Sequence, residues 1–351
     1  MKNYISSRTY ACINERLFFS SDNTNGLFSC NMLLSDVKLE GVFDNALILE
    51  TNLHQAVATI GCKLYFFRNK GEFIDIYDIE KQHMSTIPFT EPVKDVHVIE
   101  DDIWMIAGKG YKQLFKLDTR DSNITLVTKL PDSCNTNGVG YVRLDGDNKL
   151  LVVGELATNT ILIFDTISSK LRHISTTIDD IFAAFLHNKT IWIIDRNSPN
   201  IYCIDKRGNI KDYSVDIQFS YIDDRLKLKR YWNKLIVFND SIIAIPAHGD
   251  SIAIIEDDVV KIYNISNVNW DINTTKFYSH IVIGDKLYIF SRGGKRHYVL
   301  DTNGNIVACE ASIQDDLLSF YKSQYLLELI NESPIIEETD KLNLVNYLEY
   351  V

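Results

Sequence analysis

The sequence predicts an all-β fold, a seven-bladed β-propeller followed by a short C-terminal helical tail. Two observations lead to this prediction. One pattern of apolar runs recurs seven times along the 351 residues, and the residues in those runs favour strands. The runs span about four to eight residues and are rich in Ile, Val, Phe, Tyr and Trp, which pack well on a pleated sheet.

Each repeat has the same internal order. An apolar run, a polar turn and a second apolar run are followed by a closing acidic or amide residue, 14 or 15 positions after the start. Successive repeats start 39 to 51 residues apart. A closing Asp or Asn favours a tight turn, because its side chain accepts a hydrogen bond from a backbone N–H two residues later. The repeats start at Leu17, Leu64, Ile103, Leu150, Ile191, Ile242 and Leu287, and close at Asn31, Asp78, Asp118, Asp165, Asp205, Glu256 and Asp301.

Two further strands complete each repeat, one before and one after this pair. Four antiparallel strands about every 40 to 50 residues, repeated seven times, are typical of a seven-bladed propeller. We expect each repeat to begin with the innermost strand and to end with the outermost. The ring then closes between the first and last blades without a shared blade. A misplaced first strand would instead give a shared closing blade or a ring of six.

The period changes after the last blade. Apolar residues recur there at three- and four-residue spacing, which indicates two short amphipathic helices. The first stripe contains Leu317, Leu318, Tyr321, Tyr325 and Leu329, and the second contains Leu342, Val345 and Leu348. The prediction is therefore a propeller over residues 1–312 and a helical tail over residues 313–351, packed on the propeller or projecting from it. An apolar stripe at a terminus is also suited to docking another protein.

Composition restricts the partners and the compartment. The chain has 36 basic and 47 acidic residues, a net charge of −11, which argues against nucleic acid or an anionic membrane as a partner. No apolar stretch approaches the roughly 18 residues of a membrane span, and we expect no secretory signal. The six cysteines stand singly, without a C-x-x-C pair. We therefore expect reduced thiols, a cytoplasmic location, no metal site and no cofactor.

Two blades resemble those of kelch-type propellers. The run Lys149–Gly154 precedes Ile161–Asp165 in one blade, and Lys286–Phe290 precedes Tyr298–Asp301 in another. The chain resembles kelch-like propellers over about residues 8–310. The resemblance is one of architecture and implies seven blades, without indicating a particular family within that type.

The turns between the second and third strands carry the candidate ligand-binding residues. In a propeller these turns lie on the same face as the loops between blades, around the mouth of the central channel, and we call this the loop-rich face. Polar side chains that converge there could bind a sugar, a carboxylated ligand or a peptide. The alternative is that these turns are polar only because they are solvated. The candidates are Arg68, Lys109, Tyr111, Asp195, Arg196 and Arg292.

Two residues of these turns are candidates for acid–base catalysis. His248 follows Ile245-Pro246-Ala247 and could act as a general base, since imidazole titrates near neutral pH. Glu155 follows Gly154, where a strand leaves the channel wall, and could act as an acid if an arginine or a metal lay beside it. Both are equally consistent with solvated turn residues.

The sequence contains no nucleophile elbow, P-loop, dinucleotide fingerprint, zinc-protease motif or EF-hand loop. It therefore favours a non-catalytic scaffold that binds a protein, peptide or glycan on the loop-rich face. The alternative is a lyase or hydrolase acting on a carbohydrate or a cyclic peptide at the channel mouth. In that case His248 and Glu155 would be the acid–base groups, and Arg68, Arg196 and Arg292 would hold an anionic substrate.

Overall fold

The computed structural model describes residues 7–22, 24–43, 46, 52–131, 143–154, 158–217, 230–249, 251–265, 277–291 and 296–310. Across these ranges, 28 strands form seven antiparallel sheets of four strands. Each sheet consists of four strands that are consecutive in the chain, in the order in which they occur. The chain is thus an all-β seven-bladed propeller, as the repeat predicted.

The first blade contains β1 (Thr9–Ile13), β2 (Arg16–Ser20), β3 (Gly26–Asn31) and β4 (Lys38–Val42). The second contains β5 (His54–Ile60), β6 (Lys63–Arg68), β7 (Phe73–Asp78) and β8 (His83–Pro88). The third contains β9 (Val93–Ile99), β10 (Asp102–Ala107), β11 (Gln113–Asp118) and β12 (Asn123–Lys129), with a 3₁₀ turn at Lys109–Tyr111. The fourth contains β13 (Arg143–Gly146), β14 (Leu150–Gly154), β15 (Thr160–Asp165) and β16 (Lys170–Ser175).

The fifth blade contains β17 (Ile181–His187), β18 (Thr190–Asp195), β19 (Ile201–Ile204) and β20 (Ile210–Tyr213). The sixth contains β21 (Trp232–Phe238), β22 (Ser241–Pro246), β23 (Ser251–Glu256) and β24 (Val259–Asn264). The seventh contains β25 (Phe277–Ile283), β26 (Lys286–Ser291), β27 (Arg296–Asp301) and β28 (Ile306–Glu310).

Tight turns join the strands within each blade. Asn239 and Asp240 join β21 to β22 with φ of 50° and 61°, the two positive values of a type I′ turn, whose twist matches the strands it connects. The closing Asp residues act as predicted. Asp205 Oδ1 accepts a hydrogen bond from Arg207 N at 2.7 Å, and Asp301 Oδ1 accepts one from Asn303 N at 2.9 Å.

The hydrophobic core lies between neighbouring blades. Phe182 and Ile194 of blade 5 pack with Trp232 and Ala253 of blade 6, and all four are at most 2% exposed. The second and third strands supply most of this core, whereas the fourth strands alternate between part-buried and exposed residues. Apolar surface buried between the blades therefore holds each blade to the next, at about 25 cal/mol of stabilisation per Å² buried.

The ring closes between blades 1 and 7. The first strand of every blade contacts the first strands of its neighbours, and β1 contacts β25. The ring of Tyr10 stacks on that of Phe290 with centroids 4.4 Å apart, and Ser279 Oγ donates a hydrogen bond to Tyr10 O at 3.4 Å. The first strands are therefore innermost and no blade is shared, which confirms the predicted closure.

The predicted tail, residues 313–351, lies outside the described residues. The described strands end at Glu310. Within the part of the chain that the structure describes, no helix is long and apolar enough to cross a membrane.

Candidate functional site

Six ionisable side chains come from the innermost strands of four blades. Strand β9 carries Asp95 and His97, and β13 carries Arg143 and Asp145. Within each pair the two residues are two positions apart, so they lie on one side of their strand. Strands β21 and β25 add Lys234 and His280. We call these six residues the channel cluster.

A hydrogen-bonded bridge crosses the channel. Arg143 Nη2 in blade 4 donates to Asn233 Oδ1 in blade 6 at 2.9 Å, so the bond joins two blades that are not neighbours in the ring. Asn233 Nδ2 donates to Phe277 O in blade 7 at 2.6 Å. On the other side, Arg143 Nη1 lies 3.8 Å from Asp95 Oδ2. The four blades of the cluster are thereby linked near the loop-rich end of the channel.

Asp145 and His97 form a close acid–imidazole pair. His97 Nδ1 lies 3.8 Å from Asp145 Oδ1, while Asp145 Oδ2 accepts a hydrogen bond from Leu186 N at 2.8 Å. Burial raises the pKa of Asp145, although that hydrogen bond and the charge of His97 act in the opposite direction. Burial lowers the pKa of His97 despite the nearby carboxylates. His97 is therefore mainly neutral at neutral pH, and its contact with Asp145 is not a full ion pair.

Lys234 and His280 face the channel with no hydrogen bond to any described residue. Burial lowers the pKa of Lys234, and the carboxylates of Asp95 and Asp145 offset this in part. Burial also lowers the pKa of His280 to well below its ordinary value, and the positive charges of Lys234 and Arg143 add to that effect. Two nitrogen groups in the channel are thus held in environments that disfavour their charged forms. Perturbed ionisable groups in a cleft are a feature of functional sites.

The structure buries Arg68, one of the predicted ligand-binding residues. Its side chain is 3% exposed, and Nε and Nη2 donate to the two carboxylate oxygens of Asp75 at 2.7 and 2.9 Å. His54 Nε2 lies 2.8 Å from the same carboxylate, and His54 Nδ1 lies 2.6 Å from Ser20 Oγ. These four residues form a buried network between blades 1 and 2, and Arg68 is occupied by it.

Asp195 and Arg196, both predicted as ligand-binding residues, contact different groups within blade 5. The Asp195 carboxylate is 5% exposed and accepts hydrogen bonds from Asn197 N at 2.8 Å and Ser198 N at 2.6 Å. Arg196 Nη2 lies 3.7 Å from Asp180 Oδ2, in the loop that enters the same blade. Each residue thus stabilises a local turn of blade 5.

Lys109 and Tyr111 lie on the loop-rich face, in the 3₁₀ turn of blade 3. Lys109 is exposed, and the Tyr111 ring is covered in part by Lys94 Nζ, which lies 5.5 Å from its centroid. Of the predicted ligand-binding residues that the structure describes, Lys109 is the most exposed.

His248 is half-buried at its turn. Its Nδ1 lies 3.3 Å from Arg230 N and 3.2 Å from Arg230 O, so the imidazole contacts the loop that enters blade 6. Glu155 and Arg292 lie outside the described residues. Their predicted roles remain predictions.

The sequence analysis assigned the charged candidates to turns and did not include His97 or His280 among them. The detectable signal was a pair of polar residues two positions apart in an innermost strand, as in Asp95 and His97. No group of three or more His, Cys, Asp or Glu side chains in the described ranges is arranged to hold a metal ion.

No protein-family model matches the chain, and no curated protein matches it. Virginiamycin B lyase from Staphylococcus aureus is similar in structure, with a TM-score of 0.63 at 10% identity over 83% of this chain and 93% of that one. A catalytically inactive histidine-to-alanine variant of that lyase, solved with quinupristin, has a TM-score of 0.63 at 11% identity over 83% and 94%. A chain in the mitotic checkpoint complex has a TM-score of 0.55 at 13% identity over 87% and 88%. These similarities show the fold alone. The kelch-like resemblance has no family-level match behind it.

Proposed function

We propose that this chain is a binding propeller whose central channel accepts a small ligand with a carboxylate group, such as the end of a short peptide. The observation that carries the proposal is the pair Lys234 and His280, which faces the channel without a hydrogen bond to any described residue. Arg143, by contrast, is engaged by Asn233. The pair is therefore the part of the channel cluster best suited to hold an anion.

A bound carboxylate would relieve the cost of burying these nitrogen groups. Burial lowers the pKa of both Lys234 and His280, because a low-dielectric site disfavours their positive forms. An anion beside them favours those forms and raises both pKa values. Asp145 is an acceptor for an amide or amine of the same ligand.

Paired peptide pools test the carboxylate requirement. One pool contains short peptides with a free C-terminal carboxylate, and the other contains the same peptides amidated at that end. We expect calorimetry to detect binding of the free-carboxylate pool. Binding should also raise the pKa of His280 in an NMR titration. Lys234→Met should weaken binding at least tenfold.

Lys170→Met is the matched control, because Lys170 is exposed on the outer strand β16. It should bind the peptides as the unaltered chain does. Equal affinity for the amidated pool, or unchanged binding by Lys234→Met, would contradict the proposal.

A second candidate function, a lyase or hydrolase acting on a cyclic peptide or a carbohydrate, is favoured by the His97 and Asp145 pair. An imidazole held neutral can accept a proton, and a carboxyl with a raised pKa is a better proton donor than an ordinary one. The similar lyase structures support a test of this idea. We would incubate the chain with quinupristin and a cyclic-peptide panel and follow the products by mass spectrometry.

Ring opening by a lyase leaves the mass unchanged, whereas hydrolysis adds one water. If His97→Asn abolishes turnover and His248→Ala does not, the channel cluster contains the catalytic groups. If only His248→Ala abolishes it, the predicted pair of His248 and Glu155 becomes the better assignment. A larger protein or glycan ligand on the loop-rich face would be expected to contact Lys109 and Tyr111.

A further inference from the structure

A groove runs between blades 4 and 5 on the face opposite the loop-rich one. Its cavity volume is about 790 Å³, and its floor is apolar. Two isoleucines, Ile167 and Ile210, stand at its edges and are 73% and 40% exposed. We call this feature the blade 4–5 groove. The floor is formed by Val152, Ile163, Ile174, Leu186, Ile191 and Ile204.

The rim of the groove is cationic on a protein that is strongly acidic overall. Five basic and three acidic side chains line it, so 5 − 3 gives +2, against −11 for the whole chain. The basic residues are Lys149, Arg172, Lys189, Lys206 and Arg207. An apolar floor with such a rim suits an acidic amphipathic segment.

The three carboxylates of the rim are engaged by their own turns. Asp147 Oδ1 accepts hydrogen bonds from Lys149 N and Leu150 N, both at 2.8 Å. Asp165 and Asp205 likewise accept backbone N–H groups of the turns they begin. The Lys149, Lys189 and Lys206 side chains are exposed, so positive charge is what the rim presents to an occupant.

The chain itself contains a segment with the complementary chemistry. Residues 311–351 contain eight acidic and two basic residues, so 2 − 8 gives −6, more than half of the net charge of −11. The same residues carry the two apolar stripes that the sequence analysis identified. The Leu, Tyr and Val side chains of these stripes, at helical spacing, require an apolar surface to cover them.

We infer that the blade 4–5 groove holds residues 311–351 of the same chain. Strand β28 runs towards the loop-rich face, so the segment must pass around the rim of the ring to reach the groove. The 41 residues after Glu310 (351 − 310) would span about 135 Å when extended and about 60 Å if fully helical. Tethering also gives the segment a high effective concentration at its own groove.

Hydrogen exchange on the full chain tests this inference. We expect backbone amides in residues 311–351 to be protected in the unaltered protein. The double variant Lys149→Glu and Lys206→Glu reverses the charge of the rim, so those amides should exchange at least tenfold faster. The matched control is Lys63→Glu with Lys286→Glu, which changes net charge equally. Both control lysines are exposed and begin the second strand of their blades, one position later than Lys149, which immediately precedes its own second strand.

Carbodiimide cross-linking identifies the occupant directly. Contact between the rim lysines and the acidic side chains of residues 311–351 should give amide links within the monomer. Links found only in a dimer would show that the occupant comes from a second copy and would overturn the inference. It is also overturned if no such links form, or if the rim variant and its control show equal exchange.

Discussion

The buried network between blades 1 and 2 predicts a large cost for one conservative substitution, Asp75→Asn. The Asp75 carboxylate is 1% exposed and receives Arg68 Nε and Nη2 at 2.7 and 2.9 Å and His54 Nε2 at 2.8 Å. Asparagine preserves the shape of the Asp75 side chain but removes its negative charge. Its N–H₂ group would face the N–H donors of Arg68 and His54. Among the described residues, Arg68 would then keep the exposed Glu72, at 3.7 Å, as a counter-charge.

The magnitude follows from the distances. Two unit charges about 2.8 Å apart interact by about 6 kcal/mol at an effective dielectric constant of 20. Breaking a buried pair by removing one partner costs about 3–5 kcal/mol, because the remaining charge stays desolvated. We expect a loss of about 4 kcal/mol in the free energy of unfolding, a large part of the roughly 5–15 kcal/mol that stabilises typical proteins.

Urea unfolding followed by tryptophan fluorescence would measure the loss. The control is Asp36→Asn, because Asp36 lies 3.2 Å from Arg16 Nη1 but its side chain is 56% exposed. Exposed pairs contribute less than about 1 kcal/mol. If Asp75→Asn costs no more than Asp36→Asn, the network does not stabilise the fold as argued.

The same experiment has a pH arm. Burial raises the pKa of Asp75, but hydrogen bonds from His54 and Arg68 outweigh burial and hold the pKa below its ordinary value of 3.8. A carboxyl whose pKa is lower in the folded state adds stability at higher pH, and this stability is lost as the pH falls through the folded-state pKa. The difference between the unaltered chain and Asp75→Asn should therefore shrink below about pH 4.

Two further predictions concern buried groups. Burial lowers the pKa of the fully buried His297 to about 4, although the backbone of Met32 acts in the opposite direction. The chain should therefore lose about 3 kcal/mol between pH 6.5 and pH 4. His297→Phe should remove that loss. If the melting temperature falls equally between pH 7 and pH 5 in the unaltered chain and in His297→Phe, the prediction is wrong. Burial raises the pKa of Cys30 to about 12, so iodoacetamide at pH 8 should modify the part-exposed Cys62 well before Cys30. Equal labelling rates in mass spectrometry would show that Cys30 is not shielded.

The fold could be predicted from the sequence because each blade is specified locally. The run Leu64–Phe67 and the closing Asp78 lie within one hairpin of 16 residues, Lys63–Asp78, and the same arrangement recurs in every blade. Repetition made the blade count and the innermost first strand visible without knowledge of distant contacts. The tail had no repeat to support it, and its prediction falls outside the described residues.

The candidate site was harder to predict, because exposure depends on register. Arg68 ends a strand and precedes the polar turn at Asn69 and Lys70, so it resembled a solvated residue. Its partner, Asp75, is a carboxylate in the middle of the apolar strand β7. A charge at such a position is rarely buried without a partner. That mid-strand Asp was the signal that a nearby cation would be withdrawn from the surface.

A bulge explains why the bridge between Arg143 and Asn233 escaped a period-two analysis. In the described strands, the first strands of five blades slip in register near the loop-rich end, and each slip leaves one residue out of the pairing. In β21 that residue is Asn233, between the pairs Trp232 with Pro246 and Lys234 with Ile245. A bulge re-aims the side chain it carries, and Asn233 is the residue that Arg143 reaches across the channel. Strict alternation would place Asn233 and Lys234 on opposite sides of the strand. Neither the slip in β21 nor the partner two blades away is encoded locally. Only the closed ring shows that Asn233 and Lys234 serve the same channel.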